Sequence, residues 1–247
     1  MKIGVLETGP VLGELAEAYG PYTEFFRRML TSVDDTIEVE GWETYQNKIP
    51  DHPQARDGWV ISGSKFGVYE DHSFIPPLED FLRECLDARV PIAGFCFGHQ
   101  ILAQAAGGMV EKSHKGWGLG VHHYETLHKT DWMDPGLDRF SCVAIHQDQV
   151  VAKPDNTTVI ARSEFCENAV LAYGDPDKPI AISIQPHPEF NTDFAKDLIR
   201  ARRGISFPKD RSDVALDHIG DALNNVEWSK SVVSFFRRAL ENKTRQS

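Results

Sequence analysis

Pro91-Ile92-Ala93-Gly94-Phe95-Cys96-Phe97-Gly98-His99-Gln100 sets one cysteine between two glycines, each two residues away, where the residue pattern changes. An apolar run leads in, and beyond it Ile101, Leu102, Ala105 and Ala106 recur on one face of a helical turn. The spacing predicts a buried strand that turns sharply into a helix, with Cys96 at the joint. Glycines relieve crowding around such a strained turn, and the side chain at its apex stands out above the sheet edge, as the serine does in a G-x-S-x-G elbow. Here sulfur takes the place of oxygen. At a helix N-terminus the macrodipole and the unpaired amides draw a thiol from about pKa 8.5 toward neutrality and enrich the nucleophilic thiolate. The competing reading is a buried structural cysteine.

A base for that thiol is sought near residue 187. Ile180-Ala181-Ile182-Ser183-Ile184-Gln185 reads as a strand and runs into Pro186-His187-Pro188-Glu189-Phe190, where flanking prolines favour extended backbone. Residues two apart in an extended chain point the same way. His187 and Glu189 are therefore expected side by side, the carboxylate on one ring nitrogen and the other nitrogen facing Cys96. A nucleophile, an adjacent base and a third group that orients the base are what covalent catalysis by a weak nucleophile needs. Taken alone, the same residues read equally as a loop histidine beside a surface glutamate.

The runs Gly94-Phe95-Cys96-Phe97-Gly98-His99-Gln100 and Gln185-Pro186-His187-Pro188-Glu189 together resemble the class I glutamine amidotransferase domain. Val60-Ile61-Ser62-Gly63-Ser64 and Ile145-His146-Gln147-Asp148-Gln149-Val150 add to the likeness, which covers roughly Met1 to Phe190. The resemblance implies hydrolysis of the side-chain amide of glutamine through a γ-glutamyl thioester, releasing ammonia. It makes Cys96 the nucleophile, His187 the general base and then acid, and Glu189 the orienter. It assigns the oxyanion hole to the backbone amides of Gly63 and Phe97, each worth roughly 3 kcal/mol in the transition state. It assigns the substrate's amino-acid end to Gln100, His146, Gln147, Asp148 and Gln149.

Two segments depart from the commonest family pattern. Ser64 stands where many members carry a second glycine, in Ser62-Gly63-Ser64-Lys65-Phe66-Gly67-Val68-Tyr69-Glu70-Asp71. That version looks more like the stand-alone branch that includes γ-glutamyl peptidases, and Lys65, Phe66 and Tyr69 could reach a leaving group larger than ammonia. A plain surface turn is the alternative. Lys115-Gly116-Trp117-Gly118-Leu119-Gly120 is similar to a segment near the site in stand-alone members, with Trp117 either packing or touching substrate.

Bulk properties narrow the classes. The 247 residues can bury a substantial single core, and the net charge of −11 with no long basic run disfavours nucleic acid and anionic membranes as partners. Arg27-Arg28, Arg200 to Arg203 and Arg237-Arg238 read as solvated faces or ends of helices. No apolar run approaches the roughly 20 residues of a membrane span, and Met1 to Glu7 reads as a first strand rather than a leader, so a cytoplasmic protein is expected. Cys85, Cys96, Cys142 and Cys166 have neither metal-site spacing nor disulfide density. His122 and His123, adjacent in a strand-like run, point to opposite faces and make poor joint ligands, so neither metal nor other cofactor is expected.

The element order predicts an α/β protein: a three-layer α/β/α sandwich around a largely parallel sheet, flavodoxin-like, with a C-terminal helical extension. Strands are expected over 2–7, 36–42 and 58–62 and helices over 12–30 and 76–88, followed by the elbow strand. Residues 120–130 and 141–151 read as strands of a smaller mixed part, and 193–203, 212–223 and 227–240 as helices joined by a linker at 204–208. The expected division is 1–191 for the amidotransferase-like domain and 192–247 for the extension packed on it. The leading functional expectation is a glutaminase passing ammonia to a partner synthase. A stand-alone γ-glutamyl hydrolase or peptidase is the alternative, and a catalytically silent binding or regulatory subunit the third possibility.

Overall fold

Leu6, Trp59 to Ile61, Ile92, Ala93, Phe95 and Ala181 to Ile184 have no solvent exposure, the pattern of strands covered on both faces by helices. A computed structural model of the chain describes residues 1–11, 13–220 and 222–246. The first half contains β1 (Lys2–Glu7), α1 (Glu14–Tyr19), α2 (Tyr22–Thr31), β2 (Glu38–Glu43), β3 (Gly58–Ile61), α3 (Ile75–Asp87), β4 (Ile92–Phe95), α4 (Phe97–Ala105) and β5 (Met109–Lys112). The second contains β6 (Gly118–Thr126), β7 (Arg139–His146), β8 (Asp148–Ala152), β9 (Thr157–Arg162), β10 (Val170–Tyr173), β11 (Ala181–Ile184), α5 (Thr192–Arg202), α6 (Lys209–His218) and α7 (Asn225–Gln246).

Nine strands form one sheet in the order β2-β1-β3-β4-β11-β10-β9-β6-β7. From β2 to β11 neighbours run parallel; beyond β11 the pairing turns antiparallel. Strand alternation sends Ile3, Val5, Val60 and Phe95 to one face, where α2 and α7 bring Phe26, Leu30, Trp228 and Phe236. Leu6, Trp59, Ile61 and Ile92 go to the other, under Phe81 and Leu82 of α3 and Ile101 and Leu102 of α4. Those are the three layers expected. A third apolar cluster lies where α5 and α6 pack against the β6–β7 end of the sheet, joining Phe194, Ile199 and Ala215 to Val143 and Ile145.

Two local readings change. The pattern expected as one helix from Leu12, a residue outside those described, is two helices, because Gly20 takes φ 81° and Pro21 follows it. The strands expected over 120–130 and 141–151 do not form a separate small part: β6 and β7 join the main sheet through β9, while β8 turns off after Gln147 to pair with β5. Only Gln147 lies between β7 and β8, and around this change of sheet His146, Gln147 and Asp148 border a cavity with Cys96. The expected helix over 212–223 is α6, which starts earlier and ends at His218, ahead of Asp221, which lies outside the described residues. Among the described residues no helix is long and apolar enough to cross a membrane.

Candidate active site

β3, β4 and β11 are adjacent and parallel, so the loops after them leave the sheet side by side. They carry Ser62 to Ser64, Cys96, and Gln185 to Glu189. Cys96 is the residue between β4 and α4, with φ 51° and ψ −104°. A side chain at positive φ costs of order 1–3 kcal/mol and persists only where the surroundings impose it. Here the Cys96 amide donates to the Ile184 carbonyl (2.9 Å), its carbonyl accepts from Gln100 (3.1 Å), and the Gly98 amide donates to Ser62 (3.1 Å). The flanking glycines are required by close approach: a Cβ on Gly94 would lie 2.4 Å from the Gly98 carbonyl oxygen, and one on Gly98 2.4 Å from that of Ile61.

His187 and Glu189 do stand side by side. The His187 Nδ1 meets Glu189 Oε1 at 2.7 Å, with the two side chains 4% and 0% exposed. With Nδ1–H donating to the carboxylate, Nε2 is left for the thiol. Two further contacts fix the ring: its backbone amide donates to Val143 of β7 at 2.8 Å, and Phe190 stacks on it with centroids 4.1 Å apart. Burial pushes the imidazole down, but the charges of Cys96 and Glu189 and its hydrogen bonds to both push it up further, to about 10. The net direction favours the charged ring, with a proton on the nitrogen that faces Cys96.

Two cavities meet at Cys96. One, of about 120 Å³, is lined by Phe66, Tyr69, Gln100, His146, Gln147 and Asp148. The other, of about 190 Å³, has His187, Tyr22, Phe190, Phe194, Leu198 and Arg202 in its wall. Ser64, Lys65, Cys96, Trp117 and Ile145 border both. A wider open groove of about 1220 Å³ crosses β6, β7 and β9 and reaches neither Cys96 nor His187.

The chain that carries this cysteine and this histidine–carboxylate couple has relatives among known proteins. A family model described as glutamine amidotransferase class-I fits residues 14–202. The chain belongs to that family. γ-Glutamyl peptidase 4 of Arabidopsis thaliana is 30% identical over 193 residues, 74% of this chain and 73% of that protein. A glutamine-hydrolysing GMP synthase subunit from Halobacterium salinarum is 31% identical over 182 residues, 71% and 87% of the two chains. A solved glutamine amidotransferase from Thermotoga maritima superposes with a TM-score of 0.70 at 20% identity, covering 100% of this chain and 98% of that one, a likeness of fold.

In this amidotransferase-family chain the remaining expected site residues fall as follows. Gly63 sits against the pair, its Cβ direction 3.6 Å from Cys96 Cβ and 3.0 Å from His187 Cε1. Neither its amide nor that of Phe97 donates within the chain among the described residues. Gln100 uses its amide nitrogen on the Asp148 carbonyl (2.9 Å) and on Gln185 (3.2 Å), holding the 146–148 loop to α4. His146 is buried, held neutral by burial that brings it to about 3, and its Nε2 has no partner. Asp148 accepts from the Tyr69 hydroxyl at 2.9 Å. Gln149 turns aside to the Phe165 carbonyl and does not border the cavity. Ser64 is more than a surface turn: its hydroxyl donates to the Thr8 carbonyl at 2.8 Å, and Trp117 packs edge-on to Phe207 while bordering both cavities.

Sequence reasoning passed over three residues here. Thr8 directly follows β1, and its amide donates to Ser62 Oγ while its hydroxyl lies 3.1 Å from the Gly63 carbonyl, clamping the Gly63 turn; its place at a parallel strand's carboxyl end was the available signal. Phe190, three residues past the histidine, gives the ring its apolar backing. Arg202, grouped with the solvated arginines, is half-buried in the wall of the larger cavity. Among the described residues no cluster of three or more His, Cys, Asp or Glu side chains is placed to hold a metal ion.

Proposed function

We propose that the chain hydrolyses a γ-glutamyl amide through a thioester on Cys96. The thiolate attacks the amide carbon, and the amides of Gly63 and Phe97 receive the resulting oxyanion, each contributing roughly 3 kcal/mol. His187 passes its proton to the leaving nitrogen, the C–N bond breaks and the amine departs. Water then attacks the thioester with His187 as base, and the Cys96 thiolate leaves glutamate. Glu189 keeps the ring's tautomer and stabilises its charged form. Gln100 acts by holding the 146–148 loop, and His146, Gln147 and Asp148 line the cavity that receives the glutamate end.

The observation that carries this reading is the convergence of Cys96, the His187–Glu189 pair at 2.7 Å and two uncommitted amides at one edge of the sheet. A silent binding subunit has no need of that arrangement. A second reading, glutamine hydrolysis feeding ammonia to a separate synthase, is favoured by the likeness to a synthase subunit. The purified chain is expected to release glutamate from γ-glutamyl amides, and Cys96→Ala to abolish release while keeping the circular dichroism spectrum. Turnover surviving in Cys96→Ala removes the mechanism. A glutaminase that stays slow alone and accelerates on docking a synthase selects the second reading.

A further inference from the structure

The general acid fixes which way the leaving group points. A proton travels from His187 to the departing nitrogen only within hydrogen-bond reach. His187 borders the larger cavity and not the smaller one, which holds Gln100 and His146 to Asp148. Whatever is bonded to that nitrogen therefore extends toward α5. Phe66 and Tyr69, expected from sequence to meet a large leaving group, lie on the other side of Cys96 with the glutamate-end residues.

The cavity on the His187 side holds about 190 Å³. Ammonia, about the size of water, needs only ~30 Å³. The cavity's lining includes the apolar and aromatic side chains of Val11, Leu15, Tyr22, Phe194, Leu198 and Phe207, with Ser64 and Ser206 beside them. Two cations, Lys65 and Arg202, also line it, and no Asp or Glu borders the cavity, in a chain whose net charge is −11. Arg200 and Arg203 pair with Asp197 and Asp213, whereas Arg202 and Lys65 meet no carboxylate among the described residues. A largely aromatic lining with a cation that meets no carboxylate, Arg202, fits an apolar group bearing an anion.

We propose that this cavity binds the leaving group and selects γ-glutamyl conjugates of aromatic amino acids, whose ring packs on Phe194 and Leu198 and whose α-carboxylate meets Arg202. The proposal rests on γ-glutamyl hydrolysis at Cys96 and adds to it the substrate class. It implies that glutamine leaves most of the site empty and that conjugates of cationic amines are poor substrates.

Steady-state kinetics on glutamine, γ-glutamyl-L-phenylalanine, γ-glutamyl-phenethylamide and γ-glutamyl-putrescine tests it with the wild-type chain. The phenylalanine dipeptide is expected to exceed glutamine by tenfold or more in kcat/KM. The phenethylamide, with the ring and no carboxylate, should fall between them, and the putrescine conjugate should be the worst of the three conjugates. Arg202→Gln should raise KM for the dipeptide at least fivefold with little change in kcat, and leave the dipeptide no better than the phenethylamide. Glutamine equal to or better than the dipeptide, or an Arg202→Gln effect that is the same with and without the carboxylate, overturns the leaving-group assignment alone. Failure to hydrolyse any γ-glutamyl compound, or full activity in Cys96→Ala, overturns the underlying reaction and the assignment with it.

Discussion

Three of the four cysteines are sealed in apolar surroundings: Cys85, Cys142 and Cys166 have no exposure, and burial pushes each thiol up, Cys166 to about 12. Cys96, by contrast, borders both cavities at the site. A glutamine-derived electrophile such as 6-diazo-5-oxo-norleucine is therefore expected to label Cys96 and none of the others, read by peptide mass spectrometry; label spread over several would break the assignment. Glu189 gives a second test. Its carboxylate is one of the groups holding the His187 ring above its ordinary value, against burial, which pulls the ring down. Glu189→Gln keeps a hydrogen-bond acceptor but removes the charge, so the ring's pKa falls. The basic limb of kcat/KM against pH should move to lower pH, with a partial loss at the optimum, whereas His187→Ala should be nearly as damaging as loss of Cys96. An unshifted basic limb would mean that Glu189 does not act on the ring's charge. These residues were legible because each pairing is local in sequence: a two-residue glycine spacing, a two-residue His–Glu spacing. Thr8 and Arg202 were not, because they reach the site across 54 residues of chain in one case and from a distant helix end in the other.

At the scale of elements, the site exists because β3, β4 and β11 are neighbours and all point the same way. The elbow tolerates this crowding only with glycine. Gly98→Ala would put a methyl group 2.4 Å from a backbone oxygen of β3, with no flexible side chain to yield. Overpacking of that kind costs about 1–3 kcal/mol, and the relief available is to move α4 away from β3, which also displaces Cys96. Urea denaturation should show the loss, and the surviving folded enzyme should have reduced kcat; an unaltered midpoint would mean that α4 can shift freely. The strand-to-helix elbow was readable because its apolar run and helical period are both strong. β9 and β10 were missed because they are four to six residues long and lie in an antiparallel wing, where pairing with β6 and β11 rather than intrinsic pattern makes them strands. The single long helix expected near the N-terminus failed at Gly20-Pro21, a breaker pair whose local chemistry outweighs an amphipathic period running through it.

For the whole molecule, the layer order was legible from alternating strand and helix patterns, while the partner of each face was not, since which helix covers which side depends on connection handedness and length rather than on any one residue. α7 is the example: its Trp228, Val232 and Phe236 close the same face as α2, which lies near the opposite end of the chain. Phe236 lies over Gly58, the first residue of β3, at the opposite end of that strand from Gly63; a Cβ on Gly58 would meet its ring at 2.7 Å. The two ends of β3 are separated by about 3.3 Å per residue, so removing Phe236 opens a cavity well away from the chemistry. Phe236→Ala should cost about 3–5 kcal/mol, the range for deleting a buried phenyl ring, and lower Tm by roughly 10 °C. Because β3 is anchored independently at its other end by Thr8, Ser62 and Gly98, kcat per folded molecule should stay close to wild type at temperatures where the variant is folded. Calorimetry paired with active-site titration separates the two quantities. A kcat that falls in step with stability, at full folding, would show instead that the α7 layer sets the geometry of the Gly63 turn through the strand itself.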